Sequence, residues 1–108
     1  MMRNMTGMMK KVQEMKGRME ALQSEMEQVS FSASVGGDSV TVTVNGKGFL
    51  KSVSINPASV DANEIDVLED MICLATNNAK QRAETEMAAR MKDITGGLPL
   101  PPSMNLPF

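Results

Sequence analysis

The side chains of this 108-residue chain that could do chemistry are few, and their types exclude most catalytic sites. There is no His and only one Cys, Cys73. Without imidazole the chain has no Ser-His or Cys-His pair and no His-ligated metal site, and a single thiol cannot form an intramolecular disulfide. Glu69 and Asp70 are neighbours on a predicted helix and point in different directions, so they do not form an acid–base pair. We therefore expect no enzyme activity, no cofactor, no metal site and no small-molecule substrate.

The charged residues are distributed unevenly, although the formal net charge is only −2. Residues 1–18 contain five basic residues and one acidic residue, whereas residues 19–28 contain three acidic residues and no basic one. The basic residues of the first segment are Arg3, Lys10, Lys11, Lys16 and Arg18. Such a cluster can neutralise DNA phosphates, which gives salt-dependent affinity that is largely independent of base sequence. A lysine-rich helix face is more often simply solvated, so charge alone leaves both interpretations open.

A second basic set lies further along the chain, where it is diluted by Glu84, Glu86 and Asp93. Its members are Lys80, Arg82, Arg90 and Lys92. We rank it below the first set as a DNA contact. The chain has no Trp or Tyr on which bases could stack, and it contains no helix-turn-helix or zinc-finger pattern. A mode specific for single strands is therefore not expected.

The spacing of apolar residues predicts one long helix from residue 1 to about residue 29. Intervals of four and three alternate along a heptad seam. The seam contains Met1, Met5, Met8, Val12, Met15, Met19, Leu22, Met26 and Val29. Methionine fills irregular gaps at helix–helix interfaces, and the regular spacing favours this interpretation over a copper-binding array or a peptide groove. A helix of roughly 40 Å is too long for so small a domain to cover, so the seam implies a partner helix or chain.

Apolar residues then recur at every second position, which predicts three strands over residues 29–35, 40–44 and 49–55. Residues 36–38 (Gly-Gly-Asp) and 45–48 (Asn-Gly-Lys-Gly) supply the two reversals, so the sheet is an antiparallel meander. The second turn lacks the pattern of a phosphate-binding loop. The alternation places Phe49, Val53 and Ile55 on one face of the third strand. Lys51 interrupts that face, which indicates an edge strand.

A second helix follows Pro57 and carries an apolar stripe at helical spacing that thins from Ala83 to Met91, where we expect it to project or pack loosely. Cys73 falls within this helix, and we expect its thiol to be packed. Thr95-Gly96-Gly97 ends the helix. Residues 1–97 then form a single domain, and residues 98–108 form a Pro-rich, extended or mobile tail. No run of about 18 apolar residues indicates a membrane span, and no apolar stretch near residue 1 indicates a secretory signal, so we expect a cytoplasmic protein without a membrane partner.

Six segments, in this order and spacing, resemble the YbaB/EbfC family of bacterial nucleoid-associated DNA-binding proteins over nearly the whole chain. They are NMTGMMKKVQ (residues 4–13), NGKG (45–48), VSINP (53–57), LEDMI (68–72), ATNNA (75–79) and ITGGL (94–98). The chain departs from the family at Asn56, where an acidic residue is usual. That position belongs to a turn at the end of a strand.

The resemblance implies an α+β homodimer with the order α-β-β-β-α, whose helical arms extend from a central body in the cytoplasm and nucleoid. It also implies binding of double-stranded DNA, with a role in nucleoid organisation and gene regulation. The family has no strict binding signature, so the DNA contacts expected here are the basic residues of segment 1–18 named above. The alternative is a coiled-coil scaffold or adaptor that uses the same seam to bind a partner protein.

Overall fold

The chain forms a long helix, a three-stranded sheet and a second long helix, which confirms the predicted α+β order. The computed structural model describes residues 2–95, with side chains from residue 7 onward. The elements are α1 (Met2–Gln28), β1 (Ser30–Val35), β2 (Val40–Asn45), β3 (Leu50–Ile55), a 3-10 turn (Pro57–Ser59) and α2 (Ile65–Thr95). The tail predicted for residues 98–108 lies outside the described residues.

Strand β2 is the centre of an antiparallel sheet with the order β1-β2-β3, as the meander prediction requires. The alternation of Val and Thr in β2 puts Val40, Val42 and Val44 on one face, and all three are fully buried. The opposite face carries hydroxyl groups, such as those of Ser32 and Thr43, which lie 2.7 Å apart across β1 and β2. The sheet therefore has one apolar face and one polar face.

Strand β3 contains a β-bulge at Lys51. Val42 lies opposite Val53, but Val44 lies opposite Leu50, so the pairing shifts by one residue between the two pairs. The extra residue reverses the alternation of side chains on its N-terminal side. Leu50 therefore shares a face with Val44.

The bulge corrects the predicted apolar face of β3. Leu50, not Phe49, joins Val53 and Ile55 on the face that continues the buried valines of β2. Phe49 precedes the strand and is 65% exposed. The predicted edge position is confirmed, because β3 lies at one end of the strand order. Lys51 is the inserted residue, which explains why a charge appeared to interrupt an apolar row.

Helix α2 packs across β1 and β2 through a row of small side chains. Ala75, Ala79 and Ala83 recur every four residues and are almost completely buried against the three valines of β2 and Ala33 of β1. Because alanine carries only a methyl group, the helix backbone can approach the sheet closely. The principal core of the molecule is this layer of alanine on valine.

The predicted seam of α1 is covered only near its C-terminal end. Leu22 and Met26 are buried, and they cluster with Met87 of α2. Further toward the N-terminus, Met8 is 67% exposed and Val12 is 58% exposed. Helix α2 thus supplies a partner for the last turns of α1, Met15 and Met19 are half-buried, and Met8 and Val12 remain open to solvent.

The expectation that α2 projects or packs loosely from Ala83 to Met91 is wrong at Ala83 and Met87, whereas Ala88 and Ala89 are exposed. Ala83 and Met87 are buried, whereas Leu74, near the start of the helix, is 53% exposed. The reason is that the C-terminal end of α1 lies against the later turns of α2, which is a long-range contact that the apolar stripe of α2 alone does not reveal.

Gly46 allows the β2–β3 turn to touch α1. Its N–H donates to the carbonyl oxygen of Met26 at 2.7 Å, and a Cβ at this position would lie 2.7 Å from that same oxygen. A methyl group cannot occupy that space without moving α1 away from the turn. Gly46 is therefore needed for close approach of two backbones.

We predict that Gly46→Ala lowers the free energy of unfolding by about 1–3 kcal/mol, the usual range for overpacking. Gly17→Ala is the matched control, because Gly17 lies on an exposed part of α1 with no atom within 4 Å of the added Cβ. That change should instead raise stability by up to about 1 kcal/mol through helix propensity. Urea unfolding at one fixed protein concentration measures both values. Equal effects of the two substitutions would contradict the close approach.

Candidate nucleic-acid interface

The N-terminal half of α1 presents its basic side chains to solvent. Lys10, Lys11, Lys16 and Arg18 are all exposed, and Glu14 is the only acidic residue between residues 7 and 18. Arg3 belongs to the first turns of α1, and its side chain lies outside the described part of the structure. We call residues 7–18 the basic segment of α1.

The basic residues surround the helix rather than forming one stripe. Each residue advances about 100° around an α-helix, so Lys11 and Arg18 lie on nearly the same side, whereas Lys10 and Lys16 lie about 120° apart. Along the axis the cations span about 12 Å. Because B-DNA carries roughly one negative charge per 1.7 Å, this length of helix can meet several phosphates.

Two of the three acidic residues that follow the basic segment on α1 form ion pairs with the body of the molecule. Glu25 accepts from Arg90 at 2.7 Å, and Glu27 pairs with Lys47 at 3.2 Å. Arg90 also donates to Glu86 at 2.9 Å, one helical turn away on α2. Among residues 7–95, no ion pair involves the cations of the basic segment. The charges at the base of α1 are thus compensated, and those of the basic segment face solvent.

Two cations of the second basic set have structural partners instead. The hydrogen bond to Glu86, together with the nearby charge of Glu25, raises the pKa of Arg90. Arg82 donates to the carbonyl oxygen of Ser32 at 2.6 Å, a hydrogen bond that joins α2 to β1. The Ser32 carbonyl is 50 residues from Arg82 and Glu25 is 65 residues from Arg90, so no local pattern could have identified these two partners; only the pair of Arg90 with Glu86 has the local spacing of one helical turn.

The turn between β2 and β3 cannot bind a phosphate through its backbone, as its sequence already suggested. All four N–H groups after Asn45 are used within the protein. The acceptors are the Met26 carbonyl for Gly46, the Asn45 side chain for Lys47 and Phe49, and the Asn45 carbonyl for Gly48. The turn is therefore a fold element that joins the hairpin to α1.

The thiol of Cys73 is exposed, which corrects the expectation that it is packed. The buried positions of α2 are Ala75, Ala79, Ala83, Met87 and Thr95, which lie on one side of the helix. Cys73 lies two residues before Ala75, about 200° around the helix, and so points away from the sheet.

In the described part of the chain, neither helix is long and apolar enough to cross a membrane.

An open apolar groove of about 390 Å³ lies between the β2–β3 turn and α2. Residues 46–48 form one side. Ala83, Met87, Ala88 and Met91 of α2 form much of the other, and Lys80 and Glu84 also line it. We call this space the α2 groove. Sequence patterns gave no sign of it, because the turn and the helix are distant along the chain.

Comparison with known proteins places this architecture in a family. The YbaB/EbfC DNA-binding family matches residues 1–98. Nucleoid-associated proteins from Brucella ovis and Brucella canis are each 45% identical over 107 residues, covering 99% of this chain and 100% of the relative. One from Brucella anthropi is 44% identical over the same length.

A solved structure supports the fold alone. The crystal structure of an uncharacterized protein from Helicobacter pylori matches with a TM-score of 0.70 at 19% identity, covering 79% of this chain and 89% of the other. The family match over residues 1–98 confirms the resemblance that the six sequence segments indicated. The chain therefore belongs to the YbaB/EbfC DNA-binding family.

Proposed function

We propose that this protein is a nucleoid-associated protein that binds double-stranded DNA as a homodimer, mainly through phosphate contacts of the basic segment and Arg3. It acts in the nucleoid of the cytoplasm, without catalysis, and contributes to nucleoid organisation and gene regulation. The observation that carries this proposal is that the cations of the basic segment are exposed and form no ion pair within residues 7–95, in a member of a DNA-binding family. Phosphate contacts carry no information about base sequence, so we expect the protein to bind duplex DNA of any sequence.

Homodimer formation is supported by the apolar face that α2 leaves uncovered. Leu50, Val53 and Ile55 of β3 continue the buried valine face but are 55%, 39% and 37% exposed. On α2, Ile65 and Leu74 are also exposed, at 44% and 53%. A contiguous apolar face on an edge strand is typical of a protein–protein interface. A second copy covering it would also double the number of basic segments available to one duplex.

A second candidate function is a coiled-coil scaffold or adaptor, and one observation favours it. Met8 and Val12 lie one helical turn apart on the seam of α1 and are largely exposed. A partner helix could bind there through apolar contacts like those that Met87 of α2 makes with Leu22 and Met26. The two candidates differ in salt dependence, because phosphate contacts weaken steeply with salt whereas an apolar helix contact does not.

We predict that Val53→Glu together with Ile55→Glu converts the protein to a monomer in sedimentation velocity. Two charges would have to be desolvated in the interface, although both positions are open to water in a single copy. Ser52→Glu with Ser54→Glu is the matched control on the same strand, and it should remain dimeric. Circular dichroism should show that both variants keep their helices. A folded Val53/Ile55 variant that stays dimeric would overturn the assignment of this face.

We predict that Lys10→Ala with Lys11→Ala weakens binding to random duplex DNA and reduces the salt dependence of affinity. Each lost phosphate contact should lower the slope of log affinity against log salt by about 0.9, and a dimer loses up to four lysines. Fluorescence anisotropy at several salt concentrations measures both quantities.

Lys51→Ala is the control for this titration, because it removes a cation of the sheet whose amine donates to the Ser30 hydroxyl at 2.8 Å. It should leave the slope unchanged. If the lysine pair and the control behave alike, the basic segment is not the contact. If the wild-type protein does not bind duplex DNA at low salt, the scaffold alternative replaces the DNA proposal.

A further inference from the structure

Three apolar side chains are open to water among the cations of the basic segment. Met8 is 67% exposed, Met9 is 63% exposed and Val12 is 58% exposed. Neither of the two core clusters of the described residues includes them. Single exposed apolar residues are ordinary on a protein surface, but these three are neighbours on one helix. We call them the apolar patch of α1.

The apolar patch lies on one side of α1 between two lysines. At about 100° per residue, Val12 is about 40° and Met9 about 100° around the helix from Met8, in the same sense. Lys11 lies about 60° beyond one edge of the patch, and Lys10 lies about 100° beyond the other. Along the axis the patch extends over about 6 Å, and both lysines fall within that length. An occupant of the patch therefore meets cations on both sides.

This arrangement matches the major groove of B-DNA. The groove is about 12 Å wide, which admits one α-helix, and base edges form its floor between the two phosphate backbones. The apolar group that the bases present there is the C5 methyl of thymine. We propose that α1 lies in the major groove with its apolar patch against thymine methyl groups, while Lys10 and Lys11 extend toward phosphates on either side. The contact rests on the duplex binding of the proposed function and adds base recognition to it.

Charge favours DNA over a second helix as the occupant of the patch. Among residues 7–95, the cations of the basic segment form no ion pair, so an occupant that carries negative charge is favoured. A second copy of α1 packed along the patch would instead bring lysines of the same sign together. Duplex DNA carries about one negative charge per 1.7 Å of its axis. It offers the phosphates and the apolar methyl groups in one groove.

The side chains of the patch suit a preference for thymine rather than a strict sequence requirement. Methionine is unbranched and has three rotatable bonds, so Met8 and Met9 can reach methyl groups at differing positions in the groove. The phosphate contacts remain the same for every sequence. Every duplex is therefore bound, and one whose thymine methyl groups meet the patch is bound more tightly. The expected gain is about fourfold for each methyl group buried.

Replacing thymine by uracil tests the contact directly, because it removes the C5 methyl and leaves the charge of the duplex unchanged. Wild-type protein is titrated with two duplexes of one sequence, containing either thymine or uracil throughout, by fluorescence anisotropy at several salt concentrations. We expect binding to the thymine duplex to be tighter by at least about fourfold, with equal salt slopes. A duplex with 5-methylcytosine, which carries a methyl group at the same ring position, should likewise bind more tightly than its cytosine counterpart.

A variant of the patch measures its share of this preference. Met8→Gln with Met9→Gln and Val12→Thr removes the apolar surface without changing charge, at positions that are open to water in the single chain. It should bind both duplexes equally and keep the salt slope of the wild type. The matched control, Val60→Thr with Val67→Gln, replaces apolar residues of the body that are 41% and 47% exposed, and it should keep the preference. Circular dichroism should show that both variants remain folded.

The outcomes separate the base contact from the function on which it rests. Lys10→Ala with Lys11→Ala should lower the salt slope and keep the preference for thymine. Salt-dependent wild-type binding without that preference overturns the base contact and leaves the phosphate contacts intact. A preference that persists in the patch variant also overturns it, because other residues then contact the methyl groups. So does a patch variant whose sedimentation without DNA differs from that of the wild type, because the patch then packs against protein. A wild-type protein that binds neither duplex overturns the DNA function and the base contact together.

Discussion

The packing of the alanine row of α2 against the valines of β2 is the contact on which the rest of the molecule depends. A helix is about 10–12 Å across, and neighbouring strands lie about 4.8 Å apart, so one helix centred over β1 and β2 cannot also cover β3. The same helix extends past the sheet and holds α1 through Met87 and Met26. The position of α2 therefore determines which surfaces are buried. It leaves two of them open to solvent, namely the apolar face of β3 and the N-terminal half of α1.

The distribution of charge follows the same division. Where the end of α1 lies against the body, Glu25 is paired with Arg90 of α2 and Glu27 with Lys47 of the β2–β3 turn. Where α1 leaves the body, lysine and arginine face water. An exposed pair contributes little stability, so the pairs at the base serve mainly to balance charge near the junction. The long helix thus has an electrically balanced base and a cationic segment suited to a polyanion.

The elements of the fold could be predicted from sequence because each has a clear local period. The heptad spacing predicted α1, and the alternation of valines predicted β2. The segments Gly-Gly-Asp and Asn-Gly predicted the two turns. Features that depend on distant segments could not be predicted. The bulge at Lys51 changed the face of β3, contact with α1 buried Met87, and the outward position of Cys73 followed from which side of α2 meets the sheet. The sequence shows the cations of segment 1–18 as a cluster. Only the folded structure shows that those of residues 7–18 form no ion pairs, whereas Glu25 and Glu27 pair with Arg90 and Lys47.

We propose that duplex DNA contacts the basic segment of α1 and not the body of the molecule. The most direct measurement is an NMR titration of the isotope-labelled protein with a short random duplex, with the lysine and arginine side-chain signals followed together with the backbone amides. We expect the largest chemical-shift changes at residues 7–18, including Lys10, Lys11, Lys16 and Arg18, and unchanged chemical shifts for the side chains of Arg82 and Arg90. Changes concentrated on the hydroxyl face of the sheet, or on α2 without α1, would contradict it.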